Sequence, residues 1–246
     1  QRIAKGLADK IGSERIFLGT PVQAIEQSES GVTVHHARGT TTAKLAIVAI
    51  PPALAGRIAY TPALPARRDQ LTQRMPMGSV AKHILVYEQP FWLRRGQSGE
   101  AVADVGPVRL CFDDSPHEGS PDGHGALVCF VLGDGLRELR ELPEKDRQRE
   151  IIKGVVHLFG PEAAQPIDCI EKDWSAEPYS RGCYFGILAP GVLTRYGSAL
   201  REPILRLHFA GTETAERWLG YMEGAVDSGL RAAKEVVARL RSEGSA

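Results

Sequence analysis

No apolar run in these 246 residues approaches the roughly 18–20 positions needed to cross a bilayer. The closing Arg-Leu-Arg-Ser-Glu-Gly-Ser-Ala is polar, so the sequence reads as a soluble protein without a membrane anchor. Net charge is missing as well. Thirty basic residues balance thirty acidic ones, and no block of one sign supplies the basic stripe that a nucleic-acid or membrane-surface partner would require. There are only four cysteines, with no C-x-x-C pair among them. Neither a zinc site nor a disulfide scaffold is indicated, and a reducing, cytoplasmic interior is the simplest compartment. No G-x-S-x-G, P-loop, H-E-x-x-H or G-x-G-x-x-G string occurs, which removes the motif-borne routes to serine hydrolysis, phosphate cradling, zinc proteolysis and dinucleotide binding. The first residue is Gln, and no charged-then-apolar leader follows it.

What is present suffices for one large or two small domains, at 43% hydrophobic and 24% charged. Ile3, Leu7 and Ile11 recur every fourth residue and predict an amphipathic helix over 1–12, closed by Gly12. Strand-like stretches follow at 16–18, 22–27, 32–36 and 43–50, the last ended by Pro51-Pro52. Residues 51–77 are Pro- and Arg-rich and read as a loop-like crossover. Further strands are expected at 80–87, 108–112, 126–132 and 166–174, with a helix over 143–159. A final helix over 221–240 would present Ala225, Val226, Gly229, Leu230, Ala233, Val236, Val237 and Leu240 as its apolar face. The class is α/β or α+β.

Two features suggest chemistry without reference to any other protein. A short apolar strand over 205–210 runs into Gly211, a small polar loop and then the long final helix. Such a junction aims free backbone N–H groups at an anion or an electron-rich ring. In the stretch 80–87, alternation puts Lys82 on one face with Val80, Ile84 and Val86. Burying an ammonium there is costly unless it is paired, and a plain snorkelling lysine is the competing reading. Other polar pairs read as structural. His35-His36 point to opposite faces of one strand and cannot chelate together. Asp113-Asp114 before Ser115-Pro116 is a turn signal, and His117-Glu118 sits in a Gly/Pro-rich loop exposed to water. No metal site is expected.

The string from His208 to Val226, together with Ala49-Ile50-Pro51-Pro52, Gly78-Ser79-Val80-Ala81-Lys82, Pro90-Phe91-Trp92, Asp113-Asp114, Tyr179-Ser180-Arg181-Gly182-Cys183-Tyr184 and Pro190-Gly191-Val192-Leu193-Thr194, resembles the flavin-dependent amine oxidases, in particular the monoamine oxidases. The pieces run in order over nearly the whole chain. The resemblance implies bound FAD, with Lys82 acting at the flavin and Tyr184 and Tyr221 offering aromatic faces to the amine. It assigns Gly211, Thr212, Glu213 and Met222 to the cofactor cradle, Val22 to the adenine end, and Trp174 to a place beside the flavin ring. Leu110, Phe112 and Phe130 would line the amine pocket, and Leu110 stands where one relative has a tyrosine. Cys183 matches a cysteine that carries flavin covalently in some members. Arg181 departs from the glycine found there, and both covalent and non-covalent FAD stay open.

The family's opening strand–G-x-G-x-x-G–helix unit has no counterpart here. With the non-Met start, this leads to the expectation of a C-terminal portion of a longer protein. Residues 1–70 and 177–246 would belong to a partial FAD-binding domain, interleaved with a mixed-sheet substrate domain over 71–176. The implied reaction is oxidation of a primary or secondary amine to imine and aldehyde, with O₂ as the partner that becomes hydrogen peroxide. The alternatives are a catalytically silent module that needs the missing half, and a polyamine oxidase or related flavin desaturase. A homodimer is left open.

Overall fold

Two eight-residue strands, Val80–Tyr87 and Gly125–Leu132, form the centre of one unit of the computed structural model. The structure describes residues 2–116 and 123–244, so His117-Glu118 lie outside the described residues. The chain divides into two compact units, 76–187 and the combination of 1–75 with 188–246. The division falls at 75/76 and 187/188, where the sequence reading set 70/71 and 176/177.

The 76–187 unit is built on five strands in the order Asp168–Asp173, Val80–Tyr87, Gly125–Leu132, Val108–Asp113 and Ala101–Val102, each pair antiparallel. Alternation sends Ala81, His83, Leu85 and Tyr87 to one face and Val80, Lys82, Ile84 and Val86 to the other. The first face is sealed by the helix Glu144–Phe159, whose Ile151, Val155 and Phe159 are buried on a single stripe. Each such side chain contributes roughly 1.5–3 kcal/mol on burial. Phe91 and Trp92 complete this core, and the Trp92 indole donates to Asp113 at 2.9 Å. Asp113 also accepts from the Ser115 amide at 2.8 Å and the Ser115 hydroxyl at 2.5 Å, so the turn reading of this acidic pair holds.

In the other unit, Val22–Gln27, Val32–His36 and Gly39–Ala43 form an antiparallel meander, and Ala59–Thr61 adds in parallel beside Val22–Gln27. Ala46–Val48 pairs in parallel with Leu207–Phe209 in a separate two-stranded sheet. The parallel pairings of this mixed α/β fold therefore lie in this unit. Ile25, Val32, Val48, Leu207 and Phe209 close one core, and Leu71, Met75, Val192 and Leu200 close a second.

Several local expectations are corrected. Residues 16–18 form no strand: a 3₁₀ turn, Ser13–Arg15, precedes them, and Phe17 and Leu18 stay exposed. The single strand expected over 43–50 is split between two sheets at Lys44-Leu45. The supposed loop over 51–77 holds the helices Pro52–Ala55 and Ala66–Gln73 and the strand Ala59–Thr61. The second helix, ARRDQLTQ, is too polar to show an apolar period, yet it buries Leu71 and even Arg68.

The final helix forms as expected, over Met222–Gly244. It buries Gly224, Ser228 and Ala232, while Val226, Leu230, Val237 and Leu240 remain exposed. Small side chains let the helix approach closely, which its apolar stripe would not. The helix Arg2–Ile11 likewise leaves Ile3, Leu7 and Ile11 exposed. Among the described residues no helix is long and apolar enough to cross a membrane.

Candidate functional site

On the open face of the 76–187 sheet, strand register lines up one row: Lys172, Lys82, Phe130, Leu110 and Val102. Lys82 lies on the face expected of it, beside the cluster of Val80, Val128 and Phe130 against which Ile84, Leu110, Leu132 and Cys183 pack. Two lysines directly opposite on adjacent strands repel, and their side chains part. The Lys172 ammonium pairs with Glu177 and lies 5.4 Å from the Trp174 ring. The Lys82 ammonium instead sits 5.0 Å from the centre of the Phe130 ring. Among the described residues it has no hydrogen bond or ion pair, so a half-buried cation is left with an aromatic face alone.

Phe130 also meets Phe112 edge to face at 5.7 Å and the Tyr184 ring at 6.3 Å. Cys183 and Tyr184 arrive on a segment that runs beside 76–78: the Cys183 amide donates to the Gly78 carbonyl at 2.9 Å, and the Gly78 amide donates to that of Phe185 at 3.2 Å. Only glycine fits this crossing. A Cβ on Gly78 would stand 2.2 Å from the Cys183 carbonyl oxygen, and one on Gly182 would stand 2.2 Å from the Gly78 oxygen. Burial pushes the Cys183 thiol up, against the opposing pull of the Lys82 charge. It pushes the Tyr184 hydroxyl up as well. Trp174 follows the strand Asp168–Asp173, and its indole nitrogen is buried without a partner.

The strand–glycine–helix junction lies in the other unit. After Leu207–Phe209, the Ala210 amide donates to Val48, and Gly211 takes a φ of +114°. Its amide donates to the Ser228 hydroxyl at 3.0 Å, which ties the loop to the final helix. The Thr212 hydroxyl accepts from the Gly220 amide at 2.7 Å and donates to the Tyr221 carbonyl at 2.9 Å, closing the loop ahead of Met222. Arg231 holds the strand end through the Phe209 carbonyl at 2.7 Å. Glu213 is buried, whereas Tyr221 and Met222 are 66% and 65% exposed at the start of the helix. Trp218, at a φ of +57°, stacks edge to face on Tyr221.

The sequence-derived residues thus fall into separate groups. Lys82, Leu110, Phe112, Phe130, Cys183 and Tyr184 share one face of one sheet, with Trp174 at its border. Gly211, Thr212, Glu213, Tyr221 and Met222 share the junction. Val22 heads a strand of the four-stranded sheet instead. Sequence reasoning missed Ser228, Lys172 and Glu177. The four-residue spacing of Gly224, Ser228 and Ala232, a run of small residues, was the available signal for Ser228. Among the described residues no group of three His, Cys, Asp or Glu forms a metal site.

In the 76–187 unit, the polar atoms left over would suit the edge of a flat, heteroatom-bearing ring. An unpaired ammonium and a buried, unpartnered indole N–H border an apolar face. In the other unit, a helix start with free donors follows a glycine whose added Cβ would meet nothing closer than 3.5 Å.

Comparison with known proteins identifies the family. Residues 1–237 match the family model described as flavin containing amine oxidoreductase. A probable flavin-containing monoamine oxidase A of Dictyostelium discoideum is 46% identical over 241 residues, covering 98% of this chain and 52% of that protein. An L-amino acid dehydrogenase of Synechocystis is 39% identical, covering 97% and 50%. The solved cyclohexylamine oxidase from Brevibacterium oxydans superposes with a TM-score of 0.91 at 34% identity, covering 98% of this chain and 52% of that one. The chain spans about half the length of the curated relatives it matches.

Proposed function

The chain belongs to the flavin containing amine oxidoreductases, and from that premise we propose that its protein oxidises a primary or secondary amine to an imine, which hydrolyses to an aldehyde. Bound FAD would supply the two-electron acceptor and pass the electrons to O₂, yielding hydrogen peroxide. The observation that carries this reading is the unpaired Lys82 ammonium on an apolar sheet face.

Lys82 supplies a proton-bearing nitrogen on an apolar face, where the Phe130 ring holds its charge. Leu110, Phe112 and Phe130 supply the apolar wall for the amine's carbon skeleton. The exposed rings of Tyr184 and Tyr221 offer electron-rich faces to an amine. Gly211, Thr212, Met222 and the helix start would hold the cofactor, with Glu213 beneath the loop, Trp174 beside the ring and Val22 toward the adenine. Cys183 is the one thiol on the Lys82 face. Burial raises its pKa against the pull of the Lys82 charge, so a covalent link to FAD would require a base to take its proton.

The test is purification of the whole protein. A yellow protein that releases peroxide with benzylamine or tyramine, and loses that release with Lys82→Met, supports the reading. A yellow protein inert to a broad amine panel refutes it. Flavin mass retained on Cys183 after denaturation identifies the covalent form.

The exposed apolar stripe of Met222–Gly244 favours a second reading for these 246 residues taken alone: a folded module that binds flavin only with further polypeptide. Colourless, folded protein that turns yellow only on addition of a complementary chain would support it.

A further inference from the structure

Cys111 and Cys129 are direct cross-strand partners in the antiparallel pair Val108–Asp113 and Gly125–Leu132. The Cys111 thiol donates to the Cys129 sulfur at 3.0 Å, and both residues are fully buried. Directly opposed residues in such a pair have Cα atoms about 4.5–5.5 Å apart, inside the range that a disulfide spans without backbone movement. We propose that Cys111 and Cys129 form an oxidisable dithiol that peroxide closes into a cross-strand disulfide.

Geometry selects this pair alone. Cys169 pairs with Leu85 and Cys129 with His83, so Cys169 lies two strand spacings across and two residues along from Cys129, more than roughly 9.5 Å away. Cys183 packs on the opposite face, with Val80 and Phe130. The chemistry balances with one peroxide. A thiolate attacks one peroxide oxygen, the O–O bond breaks, and water leaves with a sulfenic acid behind. The second sulfur then displaces that hydroxyl as water, so two thiols are oxidised, one peroxide is reduced and one Sγ–Sγ bond forms.

Access sets the rate. The shared contact with Cys111, together with burial, pushes the Cys129 thiol up, so the closed sheet holds no ready nucleophile. Among the described residues the strand Val108–Asp113 is paired on its outer side only by the short strand Ala101–Val102 and the Ala103 amide, and Cys111 pairs with Ala101. Both sulfurs point into the core beneath the helix Glu144–Phe159, so an opening that lifts this cover exposes them together. Closure has a consequence on the other face. Leu110, Phe112 and Phe130 neighbour the two cysteines in sequence, so the bond fixes the register of the strands that carry the proposed pocket wall. The proposed amine oxidation releases peroxide, but the dithiol does not depend on that reading, because added peroxide serves equally.

The experiment treats the reduced whole protein with hydrogen peroxide, unfolds it in iodoacetamide, and digests it without reductant for mass spectrometry. The expected result is a linked pair of peptides carrying Cys111 and Cys129, lighter by two hydrogens than the two together. Low urea should speed its appearance severalfold, and Cys111→Ser should abolish it. Cys111→Ala replaces that variant if it fails to fold. Recovery of both cysteines alkylated after peroxide has oxidised the protein's methionines overturns the proposal. So does a linkage of either one to Cys169 or Cys183, or a rate that urea leaves unchanged.

Discussion

The Lys82 ammonium rests 5.0 Å from the centre of the ring of its cross-strand partner, Phe130, with no anion beside it. This contact is the only compensation that the described residues give the charge. Replacing Lys82 by Met should leave the fold intact, because the position packs among apolar neighbours. Amine oxidation should fall by about 10²–10⁴ in kcat/KM, the range for loss of a positioned proton carrier. Circular dichroism beside steady-state kinetics checks this. A folded variant with unchanged kcat/KM would remove Lys82 from the site.

The Gly78–Gly182 crossing carries a second expectation. Gly182 combines a φ of +144° with a carbonyl 2.2 Å from where its Cβ would be. Gly182→Ala should therefore cost on the order of 2–4 kcal/mol through strain and displaced backbone. Exposed Gly96, with nothing within 4 Å of its Cβ position, should tolerate Ala at a smaller cost. Urea unfolding of both variants separates the two.

Asp113 yields a pH dependence. Burial alone would raise its carboxyl, but hydrogen bonds from Ser115 and the Trp92 indole outweigh that and hold it below the ordinary 3.8. A folded-state value below the unfolded one means that the stabilisation is complete above pH 3.8 and is lost as pH falls through the depressed value. Asp113→Asn should weaken the protein at pH 7 by about 1–3 kcal/mol, since Trp92 and Ser115 lose a charged acceptor. It should also flatten the acid limb of the stability curve below pH 4, as read from thermal midpoints across pH.

Arg68 is a buried cation whose guanidinium lies 3.8 Å from the Phe209 ring centre and donates to the Ala199 and Leu200 carbonyls at 2.6 and 3.1 Å. Burial lowers its pKa to about 10. Arg68→Ala should cost about 2–4 kcal/mol from lost packing and two orphaned carbonyls. Lys at this position should recover little, because a point charge cannot stack and fork at once. Denaturant midpoints of the two variants decide it.

Strand alternation alone located Lys82 on its face, because a period of two leaves no choice once the neighbours are apolar. The strands 22–27, 32–36 and 80–87 and the long middle helix were legible for the same reason: each repeats a local pattern that water enforces. The burial of the final helix was not legible. Its hydrophobic stripe pointed to one side, whereas Gly224, Ser228 and Ala232 faced the protein, since close approach of backbones rewards small side chains and a hydrophobic count cannot register that. The helix Ala66–Gln73 escaped because Arg68 is buried through a ring and two carbonyls far away in sequence.

Many of the elements, and the resemblance to a family, are written locally, in periodicity and in motif. Which thiols touch, which lysine is left without an anion and which helix face is covered depend on strand order and on contacts between distant segments. Only the folded chain brings those segments together, because their pairing energy exists nowhere in the local sequence.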